Sequence, residues 1–195
     1  MNYRPKKVAV LGSGVMGSGI ACHLANVGMD VIMLDIVTPG LSDNDSKNNF
    51  HRNKLVNSAL QKTIKSKPAP LYHKSFASRI KTGNFEDDFD EISESDWIIE
   101  VVVENLKIKK QIFEKVDKHR KSGSLVSSNT SSIPINLLAQ DCSDDFKSCF
   151  CGTHFFNPVR YLKLLEIIPI EETQKEVIDF FMEFGKVTLG KQTVL

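Results

Sequence analysis

The sequence is poor in the features that mark secreted and membrane proteins. Its 195 residues include only four cysteines, whose positions do not form the disulfide framework of a small secreted protein, so we expect reduced thiols. Met1–Lys7 leads directly into an apolar strand, without the hydrophobic run of a signal peptide. Trp97–Val103, the most apolar run, is short and is interrupted by Glu100, which excludes a membrane-spanning helix. These absences predict a soluble, cytoplasmic protein.

No excess of charge of either sign is present. Lys and Arg number 25 and Asp and Glu 24, so the formal net charge is +1. A chain without a global electrostatic field has no general attraction for nucleic acid or for a membrane surface. We therefore expect partners that bind at local sites, with neither nucleic acid nor membrane among them.

Clusters of metal ligands are scarce as well. The one candidate joins the thiols of Cys142, Cys149 and Cys151 to His154, a set that could hold zinc but lacks the usual ligand spacing. Cys149 and Cys151 lie in the strand-like run Ser148–Phe156, where they would share one face and pack as small hydrophobic side chains. We expect no metal site.

Short apolar strands alternate with helical segments along the chain, which is the pattern of an α/β fold. We predict strands at Val8–Leu11, Val31–Leu34, Trp97–Val103, Leu125–Ser128, Cys149–Phe155, Lys163–Ile168 and Lys186–Leu189. We predict helices at Val15–Val27, Lys107–Arg120, Pro134–Ala139 and Thr173–Phe184. The last helix is expected to begin at a capping box of Thr173 and Glu176 and to stop at Gly185. The alternation predicts a mostly parallel sheet covered on both faces, in one domain spanning residues 1–195.

The stretch Leu41–Phe85 interrupts this alternation and is interpreted as an insert after the second strand. Apolar side chains at helical spacing predict a long amphipathic helix that ends before Pro68 and Pro70. From Ser46 to Phe85 there is no acidic residue but nine basic ones, whereas Glu86–Asp96 carries seven acids and no base. This pattern indicates either two solvated surfaces of opposite charge or a cationic face for a polyanionic substrate tail.

Gly12, Gly14 and Gly17 form a G-x-G-x-x-G turn between the first strand and the first helix. Alone this motif is weak, but here it follows a strand, opens a helix and precedes an acid, Asp35, at the end of the next strand. Gly12 permits the tight turn, Gly14 the approach of a pyrophosphate, and Gly17 the packing of the helix on the strand. The free N–H groups of the helix N-terminus would bind the phosphates. We therefore predict a Rossmann-type, doubly wound domain.

Asp35 indicates which dinucleotide the domain binds. Its carboxylate is placed to accept hydrogen bonds from the adenosine ribose hydroxyls. A 2′-phosphate would meet this negative charge, and neither Ile36 nor Val37 supplies a compensating cation. The sequence therefore favours NAD over NADP.

A second group of polar residues lies in the later part of the chain. Ser127–Ser132 follows a predicted strand, in the position where ligands bind at the carboxyl ends of parallel strands. A lone histidine such as His154 is most often a satisfied structural residue, but here it lies in a domain that carries such a turn. Asn157-Pro158 should turn the chain back, so that the next strand brings Glu166 beside His154.

Four motifs taken together resemble those of the 3-hydroxyacyl-CoA dehydrogenases. In chain order they are Val10–Ala21, Val103–Lys107, Ser128–Ser132, and His154–Pro158 followed by Glu166. Four motifs in the right order are far more specific than any one of them. The resemblance implies oxidation of (3S)-3-hydroxyacyl-CoA to 3-oxoacyl-CoA with NAD, in fatty-acid β-oxidation.

The resemblance also implies roles for individual residues. His154 matches the family's catalytic base and Glu166 the acid that orients it, while Ser131 matches a serine that contacts both substrate and cofactor. Besides the glycines and Asp35, the residues that match cofactor contacts are Met16, Val102, Val103, Glu104, Lys109, Ser131 and Asn157. Without the family, Glu104 and Lys109 could instead be a helix cap and a surface helix residue.

In this family the insert after the second strand forms a helical pair that helps to hold CoA, so the insert of about residues 41–85 is expected to bind the substrate. Lys54 and Lys62 are the candidate phosphate contacts. The insert and the run Arg160–Glu166 look most like the N-terminal segment of multifunctional bacterial β-oxidation enzymes. Family members continue into a helical domain that supplies dimer contacts and a further active-site Asn. The sequence stops before it, so we expect this polypeptide alone to be poorly active.

Two other functions stay open at this point. Other NAD-dependent dehydrogenases of β-hydroxyacids or nucleotide sugars share the glycine turn, but they use a lysine or cysteine of a later domain and lack the pairing of His154 with Glu166. A non-catalytic NAD-binding or structural protein could keep the same fold, since the fold alone does not determine function. The presence of His154, Ser131 and Glu166 together argues against a decayed site.

Overall fold

The computed structural model describes residues 3–195, which form one eight-stranded sheet with helices on both faces. The strands are β1 (Lys7–Leu11), β2 (Asp30–Asp35), β3 (Ile80–Asn84), β4 (Trp97–Glu100), β5 (Leu125–Ser128), β6 (Phe150–Phe155), β7 (Leu164–Pro169) and β8 (Gln192–Val194). The helices are α1 (Val15–Asn26), α2 (Asn49–Arg52), α3 (Lys54–Ile64), α4 (Leu106–His119), α5 (Ile135–Ala139), α6 (Asp144–Ser148) and α7 (Lys175–Val187). Short 3-10 helices lie at Asp45–Lys47, Lys74–Arg79 and Phe89–Glu94.

The order of the strands places a crevice at the centre of the sheet. The order is β3-β2-β1-β4-β5-β6-β7-β8, with parallel pairing throughout except where β7 runs antiparallel to β6. The chain moves outward from β1 to β2 and β3 on one side and from β4 onward on the other, so the order reverses between β1 and β4. In open α/β sheets, ligands bind at this switch point beyond the carboxyl ends of the strands. The predicted doubly wound, mostly parallel fold is confirmed.

The core consists of two layers that the sheet separates. Val8 and Val10 of β1 point to the face covered by α1, α3 and α7, while Ala9 and Leu11 point to the face covered by α4, α5 and α6. Successive side chains of a strand point to opposite faces, so a strand buried on both sides reads as a continuous apolar run. Trp97 follows the same rule, and its ring packs edge-on against Phe181 of α7 at a centroid distance of 5.2 Å.

The end of the chain differs from the prediction. α7 begins after Gln174 without a capping side chain, because the Thr173 hydroxyl donates to the Phe150 carbonyl oxygen instead, at 2.6 Å. The helix continues through Val187, so the predicted strand Lys186–Leu189 is wrong and the strand is Gln192–Val194. Gly185 does not stop the helix, since a Cβ there would lie 2.4 Å from Thr193 Cγ2. The glycine lets α7 pack closely on β8.

The insert is partly helical and partly a strand. The predicted amphipathic helix is confirmed as α3, which buries Val56 and Leu60. The last part of the insert was not predicted to be regular, but it forms β3, which pairs in parallel with β2 and extends the sheet. β3 reads poorly as a strand because only one of its five residues, Ile80, is a large apolar side chain.

Three smaller differences concern element bounds and short elements. β4 ends at Glu100 rather than at Val103, so residues 101–103 belong to the loop over the sheet edge. The short helix α6 was not predicted, and it begins at a Ser143 side chain that accepts from the Phe146 N–H. Within residues 3–195, no helix combines the length and apolar character needed to cross a membrane.

Candidate functional site

A cleft of about 1220 Å³ opens at the switch point of the sheet. Nine of the predicted site residues line it, namely Gly12, Gly14, Met16, Asp35, Val102, Val103, Glu104, Lys109 and Ser131. Gly17, Asn157, His154 and Glu166 do not line it. The structure thus gathers most of the predicted cofactor residues in one depression, with the histidine and its acid outside it.

The glycine turn has the geometry that a bound pyrophosphate needs. Gly12 has φ of +113°, and a Cβ on it would lie 2.5 Å from the Val101 carbonyl oxygen. A Cβ on Gly17 would lie 1.9 Å from the Gly12 carbonyl oxygen, so helix α1 could not pack on the turn. Gly14, by contrast, has no neighbour within 4 Å of a built Cβ and is exposed to the cleft. The space at Gly14 is therefore open to a ligand.

Helix α1 begins at this turn without a side-chain cap. Uncapped N–H groups at a helix N-terminus bind anions, since the helix dipole adds a partial positive charge there. Asp35 lies beside the turn and its Oδ2 accepts from the Ser13 N–H at 2.6 Å and from the Ser13 hydroxyl at 2.5 Å. Oδ1 accepts from the Ile36 N–H at 2.7 Å. Each oxygen keeps acceptor capacity, so the carboxylate fits ribose hydroxyls as donors.

An apolar end of the cleft was missed by the sequence analysis. Ile36, Val37, Leu55, Phe85, Ile108 and Ile112 line the part of the cleft beyond Asp35. These side chains come from β2 and its following loop, α3, the end of β3 and α4, so they are distant in sequence. The exposed Ile36 directly after the acid is the one local signal, because an apolar side chain at a ligand site suits a flat aromatic ring.

Glu104 fastens the polar turn that follows β5. Its Oε1 accepts from the backbone N–H groups of Ser131 at 3.2 Å and Ser132 at 3.1 Å, and also from the Ser132 and Thr130 hydroxyls. Burial would raise the pKa of Glu104, but these hydrogen bonds and the charge of Lys109 outweigh it and lower the pKa to about 2. Glu104 is therefore ionised, and it is not the cap of α4, a position that Asn105 occupies.

Lys109 is buried, which excludes the interpretation of a surface helix residue. Its Nζ lies 2.7 Å from Glu100 Oε1, 3.2 Å from Glu104 Oε2 and 3.3 Å from the Val102 carbonyl oxygen. Glu100 has no exposed surface at all. The sequence analysis gave Glu100 no role, because a single acid in an apolar run does not reveal its partner nine residues away.

His154 and Glu166 form an ion-pair geometry outside the cleft. They are direct neighbours across the antiparallel pair of β6 and β7, and His154 Nδ1 lies 2.7 Å from Glu166 Oε2. The His154 side chain keeps 17% of its surface exposed, and its ring is tilted against Phe156 at a centroid distance of 4.4 Å. The predicted reversal of the chain after Asn157-Pro158 is confirmed. Nε2 of the ring is left to meet a ligand.

One hydrogen bond connects the histidine strand to the cleft. The Phe155 N–H, next to His154, donates to Asn129 Oδ1 at 2.8 Å, and Asn129 lines the cleft. The Asn129 N–H in turn donates to the Glu100 carbonyl oxygen at 2.9 Å. Ser131 and Asn157 are exposed beside these strand ends. The ends of β4, β5 and β6 thus hold the cleft and the histidine in a defined relation.

The basic residues of the insert divide into two sets. Arg52 is taken up by acids, since it bonds Asp87 at 2.6 Å and Glu86 at 2.8 Å, and Lys81 pairs with Glu91. This part of the insert supports the interpretation of compensating surfaces. Lys54 and Lys62 are exposed on α3, form no ion pair within residues 3–195, and do not line the cleft.

The cysteines do not gather into a metal site. Across residues 3–195, no group of three or more His, Cys, Asp and Glu side chains is arranged to hold a metal ion, and the four cysteines are free thiols. Burial raises the pKa of the Cys22 and Cys142 thiols to about 12. They are therefore protonated and pack as small hydrophobic side chains.

Comparison with known proteins supports the same interpretation. The family described as "3-hydroxyacyl-CoA dehydrogenase, NAD binding domain" matches residues 7–195. A probable 3-hydroxyacyl-CoA dehydrogenase of Bacillus subtilis is 54% identical over 200 residues, covering 100% of this chain and 25% of its own length. A putative fatty acid oxidation complex trifunctional enzyme of Rickettsia felis is 42% identical over 194 residues, covering 100% of this chain and 26% of its own length.

A solved structure agrees with these relatives. The crystal structure of (S)-3-hydroxybutyryl-CoA dehydrogenase from Ralstonia eutropha superimposes with a TM-score of 0.74 at 31% identity, over 98% of this chain and 63% of that one. The chain spans about a quarter of the length of the two curated relatives. The family match and the glycine turn agree on NAD as the cofactor. The chain therefore belongs to the 3-hydroxyacyl-CoA dehydrogenase family, within which it is the NAD-binding domain.

Proposed function

We propose that this chain forms the NAD-binding half of a site that oxidises (3S)-3-hydroxyacyl-CoA to 3-oxoacyl-CoA in fatty-acid β-oxidation. The observation that carries the proposal is the 2.7 Å pairing of His154 with Glu166, one hydrogen bond away from the dinucleotide cleft. The names of the relatives from Bacillus subtilis and Rickettsia felis support the reaction and the process.

His154 acts as the base in this proposal. The Glu166 carboxylate accepts from the Nδ1–H and fixes the tautomer, which leaves the Nε2 lone pair for the proton of the 3-hydroxyl group. As that proton moves to Nε2, the carbon–oxygen bond becomes a carbonyl and carbon 3 releases its hydrogen as a hydride. NAD, when bound, supplies the acceptor for the hydride. Glu166 then stabilises the imidazolium that has formed.

The remaining residues bind and position. The uncapped N-terminus of α1 holds the pyrophosphate over Gly14, and Asp35 holds the adenosine ribose. We assign the nicotinamide half to the other side of the turn, with Met16, Val102, Val103, Glu104, Lys109, Ser131 and Asn157 as its contacts. Ser131 also meets the substrate, and the exposed Lys54 and Lys62 bind phosphates of CoA.

The experiment that tests this function is a titration of NADH with and without acetoacetyl-CoA, followed by fluorescence. We expect saturable NADH binding, and a change in the apparent affinity or emission of NADH when acetoacetyl-CoA is present. His154→Gln should keep NADH binding and lose the effect of the thioester. His119→Gln, at an exposed histidine of α4, is the matched control and should behave as the parent chain.

The opposite result would favour the competing function. NADH binding that acetoacetyl-CoA leaves unchanged in the parent chain would indicate a non-catalytic NAD-binding protein. A chain that binds no NADH at all would contradict the assignment of the cleft itself.

A further inference from the structure

Three charged side chains form a closed network under the turn that follows β5. Glu100 is fully buried at the end of β4, Lys109 keeps 1% of its surface, and Glu104 lies at the surface side of the group. Lys109 Nζ is 2.7 Å from Glu100 Oε1 and 3.2 Å from Glu104 Oε2. Two carboxylates therefore share one ammonium group, and the network has one more negative than positive charge.

The hydrogen bonds of Glu100 are those of an ionised carboxylate. Besides Lys109, its oxygens accept from the Val102 N–H at 2.7 Å and from the Ser128 hydroxyl at 2.5 Å. The Ser128 oxygen itself accepts from the Thr130 N–H at 3.2 Å. Burial raises the pKa of Glu100, while the charge of Lys109 and the three donors oppose this rise. An ammonium group and two further donors on one side chain favour the charged form.

The network lies where the reactive half of the dinucleotide is expected. Asp35 is on the β2 side of the glycine turn, and the network is on the opposite side, at the ends of β4 and β5. A dinucleotide across the switch point places its two halves on these two sides. Lys109 and Glu104 also line the cleft. The floor under the nicotinamide half is therefore negatively charged.

The two redox forms of the cofactor differ in charge at this end. The nicotinamide ring is a cation in NAD⁺ and neutral in NADH. A fixed negative charge in a partly desolvated floor attracts the oxidised ring and has no comparable effect on the reduced ring. Neutral hydrogen bonds from the same residues would not discriminate between the two forms in this way.

We propose that the excess negative charge of the Glu100, Glu104 and Lys109 network favours binding of the oxidised cofactor over the reduced one, and that Glu100 is the specificity-determining residue for this preference. The inference rests on the proposed placement of NAD in the cleft. Glu100 touches neither substrate nor cofactor and acts through Lys109 and the field of the network. It favours release of NADH relative to NAD⁺.

The test is the ratio of two dissociation constants, that of NAD⁺ divided by that of NADH, measured by calorimetry for NAD⁺ and by fluorescence for NADH. In Glu100→Gln the network becomes neutral while its shape is kept, since the new amide can donate to Ser128 and still accept from Lys109. One unit of charge at an effective dielectric constant of about 20 changes cation binding by about tenfold. We expect the ratio to rise by about that factor.

Two further variants separate charge from structure. Ser128→Ala removes the 2.5 Å hydrogen bond to Glu100 without changing the charge, so the ratio should stay within about twofold of the parent value. Glu104→Gln also removes one negative charge, at a position whose side chain is 37% exposed and tolerant of change. It should weaken both forms and raise the ratio in the same direction, which tests the proposal even if Glu100→Gln does not fold.

The outcomes distinguish this inference from the proposed function. Equal weakening of NAD⁺ and NADH in both charge variants would show a purely structural network and overturn the inference, while leaving the proposed function in place. A ratio that Ser128→Ala shifts as much as Glu100→Gln would overturn it too. A parent chain that binds neither form would overturn both proposals.

Discussion

His154 and Glu166 are opposite each other in the one antiparallel pair of the sheet that the structure describes in residues 3–195, and His154 Nδ1 lies 2.7 Å from Glu166 Oε2. Because the two residues are twelve apart in sequence and face each other across a single turn, the hairpin itself sets their separation. Strand pairing, rather than a flexible loop, orients the imidazole. This relationship makes the geometry of the pair a property of the backbone.

The first prediction concerns Glu166. Replacing it as Glu166→Gln should lower the rate of acetoacetyl-CoA reduction with NADH by about 10²-fold or more, because the imidazolium loses its charged partner. The nitrogen NMR signals of His154 should also change, since the tautomer is no longer held. Glu183→Gln on the exposed side of α7 is the matched control. An unchanged rate together with unchanged imidazole signals would remove Glu166 from the proposed mechanism.

Asp35 carries the second prediction. Asp35→Ala should weaken NAD binding by about 1 to 3 kcal/mol, the scale for losing hydrogen bonds to a charged group. Asp30→Ala, an exposed acid at the start of the same strand, should leave the affinity unchanged. Calorimetric titration measures both. If the two variants bind NAD equally well, Asp35 does not contact the cofactor.

Two glycines of the same turn should respond differently to alanine. Gly12→Ala places a Cβ 2.5 Å from the Val101 carbonyl oxygen at a φ of +113°, so it should lower the free energy of unfolding by about 1 to 3 kcal/mol. Gly14→Ala meets no atom within 4 Å, so the fold should keep its stability while NADH binding weakens. Urea unfolding and NADH titration on both variants check this. A Gly14→Ala chain that binds NADH normally would place the pyrophosphate elsewhere.

The fourth prediction is a pH dependence caused by His23. Burial, with a smaller contribution from the charge of Lys191, lowers the pKa of His23 from 6.5 to about 4, and its Nε2 lies 3.0 Å from the Leu189 carbonyl oxygen. Between these two pH values the unfolded chain binds a proton that the folded chain does not. The free energy of unfolding should therefore fall as the pH decreases from 6.5 to 4, by up to about 3 kcal/mol from this group.

His23→Leu isolates that contribution. The variant loses the hydrogen bond to Leu189, so its stability at pH 7.5 should be lower, but its further loss between pH 6.5 and pH 4 should be smaller than that of the parent chain. Urea unfolding at both pH values measures the difference. Parallel losses in the two proteins would mean that His23 is protonated in the folded state.

The last prediction concerns the exposed lysines of α3. Lys54→Gln combined with Lys62→Gln should weaken binding of CoA esters more than binding of short acyl thioesters that lack the nucleotide. The matched control is Lys175→Gln combined with Lys186→Gln on α7, where the same charge is removed from another exposed helix. Equal losses for both classes of thioester would refute a role in holding phosphates.

The sequence was a good guide wherever the chemistry is local. The turn from Gly12 to Gly17 and the acid at Asp35 need only a strand, a turn and a helix in succession, and each of these was confirmed. The pairing of His154 with Glu166 was also predictable, because a short turn between two strands brings close residues together. The family match agrees with the motifs that carried this interpretation.

The sequence was a poor guide wherever an element depends on distant contacts. Gly185 was predicted to end a helix, but it lies inside α7 because Thr193 of β8 packs against it. β3 was overlooked because its residues are weakly apolar, and it becomes a strand by pairing with β2. The apolar end of the cleft has the same origin, since it is assembled from four separate parts of the chain.

The sequence by itself determined the fold class, the NAD-binding turn and the residues proposed to carry the chemistry, because these depend on residue types at short spacing. Only the tertiary structure decided that Lys109 is a buried cation shared by two carboxylates, and that Glu100 bonds Ser128, 28 residues away. The physical reason is that burial, and with it the cost or value of a charge, is decided by which segments pack together.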